Sequence, residues 1–185
     1  METNRTLSLK SKASVKTKPD TIEVHMTLSA KKTKYHEAMT TLDRYVRQLF
    51  DALKQADFDK KDCKTASFDI DAVYEYYYDK NDNRKSRFTG YRAQQKLILR
   101  FDMNTSRLSK AMTTVARSEA DPQISIRFTV KDPTAINNRL LAEATKNAFA
   151  RAEILAGNAG ATLGKLLRID YNWIDINITS STNLD

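Results

Sequence analysis

The hydrophobic period of this chain switches repeatedly between two residues and 3.6, and that switching constrains the fold more than any other feature. Leu7, Leu9, Ala13 and Val15 alternate with Ser8, Lys10, Lys12, Ser14 and Lys16. Period two marks a strand with one buried face. Lys18-Pro19-Asp20 breaks the pattern, because proline fixes its own φ and has no N–H for a ladder. Ile22, Val24, Met26, Leu28 and Ala30 then resume it, and the two runs together read as a hairpin. From about Lys34 to Ala56 the apolar residues Met39, Leu42, Val46, Leu49 and Leu53 fall three and four apart, which predicts an amphipathic helix.

The period returns to two for the longest hairpin of the chain. Phe68, Ile70, Ala72, Tyr74, Tyr76 and Tyr78 share one side. A polar loop from Asp79 to Ser86 turns the chain, and Tyr91, Ala93, Leu97, Leu99 and Phe101 line the return strand. Its tyrosine-rich tip is expected to project beyond the core. A short helix follows, capped by Thr105 or Ser106, with Leu108, Met112 and Val115 as its stripe. Ile124, Ile126, Phe128 and Val130 predict a further strand. Asp132-Pro133 then opens a long alanine-rich helix that runs to about Ala159. Leu167, Ile169, Tyr171 and Trp173, then Ile174, Ile176 and Ile178, give a last strand with a bulge where the alternation slips.

The expected order is β-β-α-β-β-α-β-α-β. Nearly every strand has one polar face, so the fold class is α+β, with antiparallel strands and helices packed on one face. Strands apolar on both faces, which a doubly wound parallel sheet needs, are missing. At 185 residues the chain is one domain spanning 1–185, or two interleaved lobes.

Composition removes several chemistries. One cysteine excludes an internal disulfide framework, and two histidines cannot make a multi-histidine metal site. Four glycines leave no phosphate-cradling loop, and no Gly-x-Ser-x-Gly elbow occurs. His25 and His36 read as solvated side chains. Asp69 and Asp71 read as alternating acids on an exposed strand rather than a catalytic pair. Cys63 lies beside Lys61 and Lys64, cations that favour a thiolate. It is the one enzyme-like feature, a thiol redox role without a resolving partner. No catalytic, cofactor-binding or metal-binding residues are otherwise expected.

Two surfaces remain. Eight cations against three acids before residue 35 carry five of the eight net positive charges. Lys10, Lys12, Lys16, Lys31, Lys32 and Lys34 would then form a basic strand face suited to nucleic acid or an anionic surface. Lysines also blunt sheet edges, an equally physical reason for them. The second surface is the run Tyr74-Glu75-Tyr76-Tyr77-Tyr78, to which the last strand's Trp173 and Ile176 are added. Rigid amphipathic tyrosines suit protein contacts, so self-association is favoured over nucleic acid, and a partner of another kind stays unspecified. No segment has the length of a membrane span or a signal peptide. Taken literally, the chain is cytoplasmic; with a leader removed, it is exported to the cell envelope.

Several short motifs resemble the bacterial SIMPL-domain proteins. They are Lys18-Pro19-Asp20, Phe88-Thr89-Gly90-Tyr91-Arg92-Ala93 and Phe128-Thr129-Val130-Lys131-Asp132-Pro133. Ala150-Arg151-Ala152-Glu153 and Leu163-Gly164-Lys165-Leu166 continue the match, in the same order, from about Arg5 to Ile178. The resemblance implies an α+β fold, no catalytic residues or cofactor, and self-association. It also implies export to the envelope and a link to stress tolerance. The absence of a leader departs from that pattern. No functional residues carry over, because the shared motifs are structural.

Overall fold

The computed structural model describes residues 5–171. The chain divides into two compact units. One is Pro19–Thr129; the other combines Met1–Lys18 with Val130–Asp185.

The first unit follows from its alternation. β1 (Thr21–Lys32) buries Ile22, Val24, Met26, Leu28 and Ala30, the five residues its pattern turned inward. α1 (Tyr35–Gln55) follows and buries Ala38, Leu42, Leu49 and Leu53. A single 3₁₀ turn (Lys60–Asp62) leads into β2 (Cys63–Tyr78), and β3 (Arg84–Asp102) returns antiparallel to it. α2 (Thr105–Arg117) and β4 (Gln123–Thr129) complete the unit. The sheet order is β2-β3-β1-β4, and every pairing is antiparallel. A β-α-β-β-α-β chain with this order is the ferredoxin-like arrangement. Residues buried on β1 and β3 join those of α1 and α2 in one core, with Leu97 and Leu99 fully enclosed. The α+β class, the antiparallel sheet and the projecting hairpin are as the sequence predicts.

Two local expectations change. β1 does not form a hairpin with the run before it. Over Thr21–Thr27 one edge pairs with β3 and the other with β4, so both edges are occupied. Arg5–Asp20 lies in none of the described strands and Leu7, expected inward, is exposed, yet from Leu9 to Lys16 exposure alternates as the pattern requires. Leu9, Ala13 and Val15 are half-buried; Lys10, Lys12 and Lys16 are exposed. The second change is at α2. Asn104, one residue before the predicted cap, accepts a hydrogen bond from the Arg107 N–H at 2.9 Å. An asparagine there satisfies an orphan donor as well as serine or threonine would.

In the other unit, α3 (Thr134–Asn158) starts after Asp132-Pro133, where the Asp132 carboxylate accepts from the Thr134 N–H at 2.8 Å. Its end is closed by Gly160, whose φ of 67° is the left-handed conformation such ends favour. Leu167, Ile169 and Tyr171, expected to open a last strand, lie in none of the described strands and are exposed; the bulge expected at Trp173-Ile174 falls outside the described residues.

Candidate interaction surface

The β2–β3 hairpin outruns the sheet that supports it. β1 pairs with β3 only as far as Lys32 opposite Tyr91. Beyond that, β2 is the one described strand beside Arg84–Gly90. Seven residues at about 3.3 Å each carry the hairpin roughly 23 Å past the end of β1. On the side of this ribbon that continues the core face, Tyr74, Tyr76, Tyr78 and Phe88 are exposed, Tyr76 and Tyr78 by 65% and 67%. Phe68, on the same face of β2 but opposite Gln95 within the sheet, is exposed too. Tyr77 is exposed as well.

Two irregularities set this face. Ala66 is an extra residue on β2, between Thr65 opposite Leu97 and Ser67 opposite Lys96. Thr89 is an extra residue on β3, between Phe88 opposite Tyr74 and Gly90 opposite Val73. An inserted residue reverses which side the following residues face. The Thr89 bulge therefore brings Phe88 to the side that Tyr91 occupies. The Thr89 hydroxyl donates to the Val73 carbonyl at 3.1 Å and holds the bulge.

The result is a line of edge-to-face rings. Tyr35 meets Tyr91 at 5.6 Å, Tyr91 meets Phe88 at 5.2 Å, and Phe88 meets Tyr74 at 5.7 Å. Such contacts fix ring orientation and add to simple area burial. Further out, the Arg84 guanidinium lies 4.1 Å from the centre of the Tyr76 ring. The tip is held by Asp79, which accepts from the Asn81 and Asn83 N–H groups and pairs with Lys85 at 2.9 Å. The Lys85 ammonium and those backbone bonds keep the Asp79 carboxyl below its ordinary value. On the opposite side of the ribbon, Glu75 lies 3.4 Å from Lys31 and 3.6 Å from Arg87, and so ties the hairpin to the end of β1.

The structure places Tyr74, Tyr76 and Tyr78 on one side of the hairpin and Tyr77 on the other, and it joins Tyr74 through Phe88 and Tyr91 to Tyr35, rings the sequence pattern did not group with the tyrosine run. The available signal was Phe88 and Tyr91 on either side of Thr89-Gly90: two aromatics three apart in a strand share a face only across a bulge. Trp173 and Ile176 lie outside the described residues.

The six lysines are divided between the two units. Lys31, Lys32 and Lys34 belong to the end of β1 and the turn into α1, whereas Lys10, Lys12 and Lys16 belong to the other unit. Lys31 is paired with Glu75, and Lys34 lies 3.5 Å from Glu37. Cys63 is buried, and that burial pushes its thiol up to about 11, the direction opposite to activation. Lys61 is turned to Asp59 at 2.9 Å. His25 is not simply solvated: its Nε2 lies 3.0 Å from Glu23 on the polar face of the sheet. Asp69 and Asp71 are exposed on that same face. Among the described residues no group of three or more His, Cys, Asp or Glu could hold a metal ion, and no helix is long and apolar enough to cross a membrane.

Residues 7–182 match the family model SIMPL, described as "Protein of unknown function (DUF541)". The chain is 27% identical over 153 residues to the 26 kDa periplasmic immunogenic protein of Brucella abortus (strain S19). It is 26% identical over 153 residues to the protein of the same name from Brucella melitensis biotype 1. Each match covers 82% of this chain and 60% of the relative, so the chain spans less than two thirds of the length of those proteins. Among solved structures, B. subtilis GlnK is similar at a TM-score of 0.37 and 10% identity, covering 59% of this chain and 84% of that one. CutA from Synechococcus elongatus PCC7942 is similar at 0.31 and 11% identity, covering 68% and 92%. Likenesses this distant carry no argument about function.

Proposed function

The chain belongs to the SIMPL family, and on that premise we propose that it is a non-enzymatic binding and assembly module that associates with further copies of itself. The observation that carries this reading is the uncovered aromatic side of the β2–β3 hairpin. Tyr74, Tyr76, Tyr78 and Phe88 continue the core face of the sheet past the end of β1, and they are exposed there. Large contiguous apolar surface of this kind marks an interaction site. Tyrosine and arginine are the residue types that concentrate binding energy there. The ring contacts order the face before any partner arrives, which lowers the entropic cost of association.

The names of the Brucella relatives support a periplasmic setting, which favours the exported reading over the cytoplasmic one. The family resemblance adds stress tolerance as its context. Binding of nucleic acid or an anionic surface through the basic residues is the weaker reading, since Lys31 and Lys34 are each engaged by an acid.

Light scattering coupled to size exclusion tests the proposal. At tens of micromolar the protein should run as a multiple of its 21.1 kDa chain. Tyr76→Ser combined with Tyr78→Ser should shift it to monomer with an unchanged circular dichroism spectrum. A wild-type monomer at that concentration overturns the reading.

A further inference from the structure

The outer edge of β2 carries a second pattern, distinct from its aromatic side. Among the described strands, β2 ends the sheet order and pairs only with β3. From Ser67 to Tyr78 it contains no bulged residue of its own, no proline and no lysine. Those are the devices that normally keep a sheet edge from pairing with another strand. One face of this stretch is aromatic and apolar. The other presents Asp69, Asp71 and Glu75. Asp69 and Asp71 form no ion pair with another described residue within 4.0 Å.

A strand that fits this edge must alternate apolar residues with cations. Leu7–Lys16 does so, and its spacing matches. Lys10, Lys12 and Lys16 are separated by two and then four residues; Asp69, Asp71 and Glu75 are separated by two and then four, in the same order. A parallel alignment therefore sets Lys10 beside Asp69, Lys12 beside Asp71 and Lys16 beside Glu75 at once. The same alignment sets Leu9 beside Phe68, Ala13 beside Ala72 and Val15 beside Tyr74 on the other face. Reversing the direction matches only two of the three charges. The three lysines are exposed and so can meet the acids of another copy.

The strand cannot come from the same molecule. In this alignment Lys18 lies beside Tyr77, which is opposite Lys85 near the hairpin tip. Thr21, three residues later, is opposite Asp102 at the far end of β3. Those two levels are about 17 residues apart along β3, roughly 56 Å. Three residue steps span at most about 11 Å. Nor does β2 suit a second β2. Any two-fold antiparallel register centred from residue 69 to 73 places two of the acids directly opposite each other or one opposite itself, a destabilising arrangement.

We propose that the Ser8–Lys18 segment of a second copy adds to the β2 edge as a parallel fifth strand, with Lys10, Lys12 and Lys16 facing Asp69, Asp71 and Glu75. This rests on the self-association proposed above and names its geometry. Strand addition at an exposed edge takes affinity from main-chain hydrogen bonds and specificity from alternate side chains. Here the specificity is electrostatic, and Val15 closes over the inner end of the tyrosine face.

Charge reversal tests it, read as mass by light scattering. One variant carries Lys10→Glu, Lys12→Glu and Lys16→Glu; the other carries Asp69→Lys, Asp71→Lys and Glu75→Lys. All six positions are exposed, and circular dichroism verifies that each variant is folded. Each variant alone should run as a 21.1 kDa monomer. An equimolar mixture should regain the wild-type mass, because each copy then offers the charge the other lacks. Either variant keeping the wild-type mass alone, or a mixture that stays monomeric, overturns the parallel strand. If the reversals leave the mass unchanged while the paired tyrosine substitutions abolish association, the assembly reading stands and this geometry falls. A wild-type monomer removes both.

Discussion

Gly90 is the residue on which the hairpin's geometry turns. Its φ of 134° is a conformation that side chains oppose, and a Cβ there would sit 2.3 Å from the Lys32 carbonyl oxygen. Both objections have one origin. The Thr89 bulge kinks β3 where β1 ends, and the last residues of β1 close on the glycine backbone. Gly90→Ala must therefore move either the bulge or the end of β1. The expected cost is more than about 1 kcal/mol, the loss seen where alanine replaces a glycine of positive φ. Urea unfolding monitored by circular dichroism measures it. The loss should be accompanied by altered near-ultraviolet signal from Phe88 and Tyr91, whose ring contact depends on the bulge. An alanine variant as stable as wild type would show that the close approach is not binding on the fold.

At the scale of elements, alternation and helical spacing are strongly legible because each depends only on which side of an element is buried. The helix expected over Lys34–Ala56 is observed as Tyr35–Gln55, and all five inward residues of β1 are buried. What such patterns omit is which strand lies beside which. Ile22, Val24 and Met26 report a buried face equally well whether β1 has one neighbour or two. Its central position is fixed by β3 and β4, far along the chain. The same limit hid the bulges: Cys63 and Phe68 face the same way only because Ala66 is inserted between them. Of the candidate surface, the tyrosines were legible as a run, whereas the ring line through Phe88 and Tyr91 required the bulge. Local signals also leave caps uncertain by a residue, as at α2. Asn104 holds the Arg107 N–H at 2.9 Å, so Asn104→Ala should cost about 1 kcal/mol. Thr105→Ala, at the position first expected to cap, should cost much less in the same urea titration. Equal losses would mean that the cap is not what anchors the start of the helix.

Across the whole sheet, the polar face has its own organising group. Glu23 on β1 stands opposite Arg100 on β3 and Arg127 on β4, and its carboxylate bonds to Arg100 and lies 3.0 Å from His25. Its side chain is only 12% exposed. Burial pushes this carboxyl up, but the bonds from Arg100 and His25 outweigh it and hold the group below its ordinary 4.5. A carboxyl whose value is depressed on folding contributes stability that is complete above the unfolded value and is lost as pH falls through the folded one. The melting temperature should therefore hold steady on this account from neutrality to about pH 5 and fall as pH drops below 4.5. Glu23→Gln isolates the contribution. At neutral pH the variant should melt below wild type, because Arg100 loses its anionic partner in a sheltered place. As pH falls the wild-type carboxyl takes up its proton, and the two curves should converge. The carboxylates held low elsewhere, Asp57, Asp79 and Asp132, are common to both proteins and drop out of the difference. A gap between the two melting temperatures that stays constant down to pH 3 would mean that Glu23 acts by shape alone.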